Sequence, residues 1–261
     1  FKQKTAYEIG VRLVGSEMCI RDSIIVTSPE KESLRDYFQP QPILEQHLAD
    51  SKEDILLAKV SEARNLANVT FVIQHEPLGL GHAVLMAKDM VGDEPFAVIL
   101  PDDIIAHSPG AISQLVQVSK ELNAGVIAVE ALPWDVVHNY GVVDAKKNSD
   151  RIHKIQGLVE KPKKGTAPSN LSIVGRYILP PQIFQYLETI KPGAKGEIQL
   201  TDGLLSMLQQ HNLFAYEFKG TRYDGGTPMG LLRASLAFAL ERQDTVEEAK
   251  TILREFHDRS H

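Results

Sequence analysis

The chain has 261 residues, 43% of them hydrophobic and 24% charged, which is ordinary globular composition and enough for one large α/β domain or two small ones. A formal net charge of −6 argues against a nucleic-acid binder, and no apolar run approaches the length of a membrane span. One cysteine, Cys19, excludes a disulfide framework and suits a reducing compartment such as the cytoplasm.

Residues 1–23 intersperse charges with apolar residues and carry no secretory pattern. The stretch resembles translated sequencing-adapter DNA, so it is set aside as a non-native leader, with a genuine amphipathic segment as the rival reading. Ser23 to Thr27 reads as a strand, and Ser28-Pro29 as the cap and first turn of a helix reaching Phe38. Pro40 and Pro42 interrupt, and a helical region is expected from Ile43 to Leu66. Val69 to Ile73 is the next strand.

The stretch from Gln74 to Asp103 organises the rest. Gly79 and Gly81 allow a turn with positive φ and a close backbone approach. His82 to Met90 follows as a helix whose N-terminus would face whatever the turn holds. Phe96 to Leu100, FAVIL, reads as a strand buried on both faces of a parallel sheet, delivering Asp102 and Asp103 to its carboxyl end. Two carboxylates at that edge suggest a divalent cation and a phosphorylated substrate; a solvated loop or a helix cap is the plainer reading.

Beyond Asp103 the pattern gives a helix at Ala111–Leu122 and strands at Gly125–Ala131, Tyr140–Asp144, Ile152–Val159 and Leu171–Leu179. Gly141 stands where a strand side chain is expected, hinting at close backbone approach. Glu160-Lys161-Pro162 leaves an acid and a base at a strand end, a site or merely an exposed ion pair. Helices follow at Pro181–Ile190 and within Gly196–Leu208, then a strand at Phe214–Phe218. Asp224 sits in Asp-Gly-Gly, which is also an ordinary turn sequence. Two helices spanning residues 229–258 close the chain. Alternating strands and helices predict a mainly parallel sheet. The nine histidines show no metal-ligand spacing, and neither a GxSxG elbow nor a GxxxxGK[ST] loop is present.

Six ordered motifs, QHEPLGLGHAV, AVILPDD, YGVVDA, LVEKPK, PSNLSIVGRYIL and GEIQLTDGL, resemble the bacterial UTP–glucose-1-phosphate uridylyltransferases, a branch of the sugar nucleotidyltransferases. The likeness runs from about Ile24 to the end, so residues 24–261 are expected to form the nucleotidyltransferase domain. It implies a Rossmann-like, glycosyltransferase-A-like α/β/α sandwich with a mixed, mainly parallel sheet. The implied reaction converts UTP and α-D-glucose 1-phosphate into UDP-glucose and pyrophosphate with Mg²⁺, in a cytoplasmic dimer or tetramer. By the same resemblance Gln74 reads the uracil edge, and Gly79 and Gly81 lie in the nucleoside loop. Asp102 and Asp224 hold the metal, and Lys161 meets the sugar phosphate. Gly141 and Glu160 contact sugar hydroxyls, and Gly175 lines the sugar pocket. Asp103 receives no role, although a supporting position behind the metal ligands is the natural guess.

One departure matters. The glycine-rich loop GxGTRxxPxTKxxPKE and the strand before it are missing from the sequence, and the leader stands in their place. The chain as written is therefore expected to lack turnover. The alternatives are a nucleotide-sugar binding protein without catalysis, or a nucleotidyltransferase that prefers dTTP.

Overall fold

The computed structural model describes residues 22–65, 68–193 and 196–258. The expectations for the leader, including Cys19, lie almost entirely outside them. Strand β1 (Asp22–Thr27) begins one residue before the strand expected from Ser23 and pairs in parallel with β2 (Asn68–Ile73).

Three helices connect this pair: α1 (Glu32–Phe38), α2 (Pro42–Asp50) and α3 (Asp54–Asn65). Ser28 does not cap α1. Its carbonyl accepts the Lys31 N–H at 3.2 Å in a turn, and the helix begins only afterwards. The single helical region expected from Ile43 to Leu66 is broken between α2 and α3, where Lys52 adopts a φ of 56° that no α-helix can continue through. The helix expected from His82 to Met90 is likewise two short pieces, α4 (Leu80–Leu85) and α5 (Lys88–Val91).

The main sheet has six strands in the order β3-β8-β5-β9-β7-β6. In sequence order they are β3 (Phe96–Ile99), β5 (Gly125–Ala131), β6 (Gly141–Lys147), β7 (Ile152–Glu160), β8 (Leu171–Leu179) and β9 (Leu213–Glu217). The sheet is mixed, as expected, but the parallel share is smaller than expected. Among the described residues only β1–β2 and β5–β9 pair in parallel, while β3, the FAVIL strand, runs antiparallel to β8. Its four residues are half-buried rather than enclosed on both faces. A continuous apolar run reports burial, not strand direction.

Sheet and helices form layers because the central strands are apolar on both faces. In β5, Ile127 and Val129 face one core while Val126 and Ala128 face the other. The first core packs against α7 (Ile183–Thr189) and α8 (Leu200–Met207), with Phe184 stacked on Phe96 at 5.0 Å. The second packs against α6 (Ala111–Leu122) through Ile112, Leu115 and Val118.

Two further strands, β4 (Asp103–Ala106) and β10 (Thr221–Asp224), form an antiparallel pair that the sequence reading left unassigned. Helices α9 (Pro228–Glu241) and α10 (Val246–Asp258) end the chain close to the expected bounds. A cleft of about 1880 Å³ separates β1 from β3, lined on its two sides by residues such as Ile24, Val26, Phe96 and Val98.

Candidate active site

The β4–β10 pair brings together carboxylates that lie far apart in sequence. Asp224 is paired in register with Asp103, and the Gly225 N–H donates to the Asp102 carbonyl at 2.7 Å. Gly226 then passes between the two outer carboxylates. A Cβ built on it would stand 3.1 Å from Asp224 Oδ1 and 3.5 Å from Asp102 Oδ2. The side chains expected to hold a metal thus converge around Gly226, where an added Cβ would meet both. Among the described residues no group of three or more His, Cys, Asp or Glu side chains could hold a metal ion. Two carboxylates completed by water and phosphate oxygens suit Mg²⁺, which is commonly bound through one or two carboxylates plus substrate phosphates.

Asp103, left without a role by sequence, is buried and joins three elements. Its Oδ2 accepts the Gly175 N–H at 2.9 Å, and its Oδ1 accepts a short hydrogen bond from Arg222 Nε. Arg176, wholly buried, donates to the Asp103 carbonyl at 2.6 Å and to the Leu100 carbonyl at 2.8 Å.

Arg222 is the residue the sequence reading missed. It precedes Asp224 by two positions on β10, so both side chains leave the same face of the strand. Its guanidinium lies 3.8 Å from Asp224 Oδ2 and 3.6 Å from Glu130 Oε2, and 5.2 Å from the centre of the Tyr140 ring. Tyr140 in turn donates its hydroxyl to Asp224 Oδ2 at 3.2 Å. Burial pulls the Arg222 pKa down, but Asp103 and Tyr140 together hold the guanidinium above its ordinary value. Burial pushes the Glu130 carboxyl up against the pull of Arg222.

On the neighbouring strand ends, Gly141 pairs in register with Glu160. A Cβ at Gly141 would stand 3.1 Å from Glu160 Oε2, so the absent side chain is what uncovers that carboxylate. The same oxygen accepts the Thr201 hydroxyl at 2.8 Å, a second contact not read from sequence. Lys161 extends into solvent, with Nζ 3.9 Å from Glu160 Oε1, and its backbone takes a φ of 43°.

The glycines of the turn after β2, Gly79 and Gly81, approach protein backbone. Gly79 has a φ of 96°, and a Cβ on either Gly79 or Gly81 would stand 2.8 Å from the Ile198 carbonyl. That carbonyl accepts the Gly81 N–H at 2.8 Å, while the Ile198 N–H donates to Leu78 at 2.7 Å. The GEIQL motif is therefore the seat on which the turn rests. The N–H and carbonyl of Gly175 are likewise taken, by Asp103 and by Leu100 and Arg176, and a Cβ there would stand 2.5 Å from Leu100 Cβ. Gln74, at the end of β2, is anchored by its own N–H to the Thr27 carbonyl at 2.8 Å. Its side-chain amide reaches His82 Nδ1 at 2.7 Å and the Gly79 carbonyl at 3.4 Å.

The profile of the nucleotidyl transferase family matches residues 16–241. Among curated proteins, the UTP–glucose-1-phosphate uridylyltransferase of Staphylococcus haemolyticus is 44% identical over 236 residues, 90% of this chain and 82% of that protein. The Bacillus subtilis protein of the same name is 44% identical, over 87% of this chain and 78% of its own length. Among solved structures, a UTP-bound UDP-glucose pyrophosphorylase from Acinetobacter baumannii superposes with a TM-score of 0.86 at 38% identity, covering 96% of this chain and 87% of that one. A UDP-glucose pyrophosphorylase complexed with UDP-glucose superposes with a TM-score of 0.79 at 33% identity, covering 91% of this chain and 86% of that one.

Proposed function

The chain belongs to the nucleotidyl transferase family, among the UTP–glucose-1-phosphate uridylyltransferases, and from that premise we propose how its residues serve the transfer of uridylyl from UTP to α-D-glucose 1-phosphate. A phosphate oxygen of glucose 1-phosphate attacks the α-phosphorus of UTP. The new P–O bond forms as the bond to the bridging oxygen breaks, and pyrophosphate leaves with that electron pair. No covalent intermediate on the protein is required, so positioning and charge compensation supply the rate.

The observation that carries this reading is the convergence of Asp102 and Asp224 about Gly226, linked to Glu160-Lys161 through Tyr140, whose hydroxyl donates to Asp224 and whose carbonyl accepts the Lys161 N–H. Mg²⁺ bound to those two carboxylates would offset the charge that gathers on the triphosphate and on departing pyrophosphate. Lys161 brings its ammonium to the sugar phosphate and lowers the repulsion between the two anions. Glu160, uncovered by Gly141 and oriented by Thr201, accepts hydrogen bonds from sugar hydroxyls. Gln74 meets the uracil edge above the turn formed by Gly79 and Gly81. Gly175 lends shape to the pocket wall, since its own polar groups already have partners. A cytoplasmic location accords with the single cysteine. Assembly into a dimer or tetramer would cover Met229, Leu232, Ile252 and Phe256, which are exposed on α9 and α10.

The test is the forward reaction with UTP, glucose 1-phosphate and Mg²⁺, following UDP-glucose and pyrophosphate together. Both products should appear only when both substrates are present. Saturable UDP-glucose binding without either product would instead assign the chain to nucleotide-sugar binding.

A further inference from the structure

Gln74 can discriminate bases only if its amide presents a defined end, because the carboxamide offers an acceptor and a donor that exchange places on a half-turn. Around it the structure places two partners. The Gly79 carbonyl, 3.4 Å from Nε2, is an acceptor and would repel Oε1 in that position. His82 Nδ1, 2.7 Å from the same Nε2, then faces a donor and must itself accept. Both amide hydrogens are thereby engaged, and Oε1 is the end left for a base. The geometry is held from three directions. Gln74 is tied to Thr27, the turn carrying Gly79 rests on Ile198, and His82 rises from the first turn of α4.

We propose that His82 is a specificity-determining positioning residue, locking the Gln74 amide so that only its oxygen faces the nucleobase. This rests on the reading that Gln74 meets the uracil edge. Uracil carries a hydrogen on N3 and donates it to Oε1. Cytosine presents a bare lone pair at N3, which Oε1 repels. An amide free to turn would answer cytosine as well, donating to N3 and accepting from the exocyclic amine. The lock therefore rejects the wrong base by denying the amide its second orientation, a device directed against the competitor as much as toward the substrate.

The experiment measures dissociation constants for UDP-glucose and CDP-glucose by calorimetry, so that it does not depend on turnover. His82→Leu removes the acceptor at similar size, and His82→Asn returns one near the Nδ1 position. The ratio of the two constants should fall about tenfold in His82→Leu, the size of one hydrogen bond, and recover in His82→Asn. Equal weakening of both ligands in His82→Leu, or no recovery in His82→Asn, would make His82 a packing residue only and overturn the proposal. Gln74→Ala separates the two levels of the argument. If it collapses the ratio while His82→Leu does not, the lock fails and the base contact stands. If neither variant changes the ratio, Gln74 does not read the base and both ideas fall. Thermal melting of each variant identifies any loss that is merely a loss of folding.

Discussion

At the scale of single residues, Arg222 stands out because it supports both stability and the site. It neutralises buried Asp103 and lies 3.8 Å from Asp224. Arg222→Met should cost about 3 kcal/mol, since removing one partner leaves a buried carboxylate uncompensated, and chemical denaturation reads that directly. Asp102→Asn and Asp224→Asn belong to the other class. Each should weaken Mn²⁺ binding, followed by the resonance signal of free Mn²⁺, while thermal stability changes little. Unchanged Mn²⁺ affinity in both variants would sink the metal assignment. Asp102, Asp224, Glu160 and Gln74 could be singled out as candidates because each sits in a motif shared with the resembling family. Arg222 could not. Its partner Asp103 is 119 residues away, and a lone arginine before Tyr-Asp looks like any charged strand end.

At the scale of elements, the β4–β10 pair explains why the site was only half visible. Four-residue strands such as DIIA and TRYD carry too little alternation to be distinguished from loop, yet their pairing is what carries Asp224 to Asp102. The break between α2 and α3 was hidden for a similar reason, because a positive φ at Lys52 leaves no mark in composition. Gly226, by contrast, can be tested as part of its turn. It does not adopt a positive φ, so Gly226→Ala adds one methyl group between two carboxylates without straining the backbone. Stability should stay within about 0.5 kcal/mol of the parent, as for most surface substitutions. The Mn²⁺ concentration needed for half-saturation should rise about tenfold. A drop in stability with no change in Mn²⁺ affinity would show that Gly226 serves the turn alone.

At the scale of the whole molecule, burial divides the fold unevenly. Strands β5 and β8 lie within two cores, whereas α1 and α2 bury no residue and β1–β2 bury only Thr27 and Val72. Local opening follows such differences. Hydrogen exchange should therefore release the amides of residues 22–65 and 68–73 well before those of β5 and β8. Simultaneous exchange of both regions would show a single cooperative unit. The layered α/β architecture was legible because alternation and apolar runs report which faces are covered. The direction of β3 was not, since its antiparallel partner β8 comes some eighty positions later and the run FAVIL is equally apolar in either pairing.

Lys161 carries a last consequence. Its φ of 43° is a conformation that asparagine tolerates better than lysine, so the chain keeps there a residue poorly matched to its own backbone. Selection for thermal persistence alone would let that position drift. Lys161→Asn should raise the melting temperature by one or two degrees, roughly half a kcal/mol of relieved strain, while affinity for glucose 1-phosphate falls. A variant that melts higher and binds more weakly would identify position 161 as a place where heredity has favoured chemistry over durability.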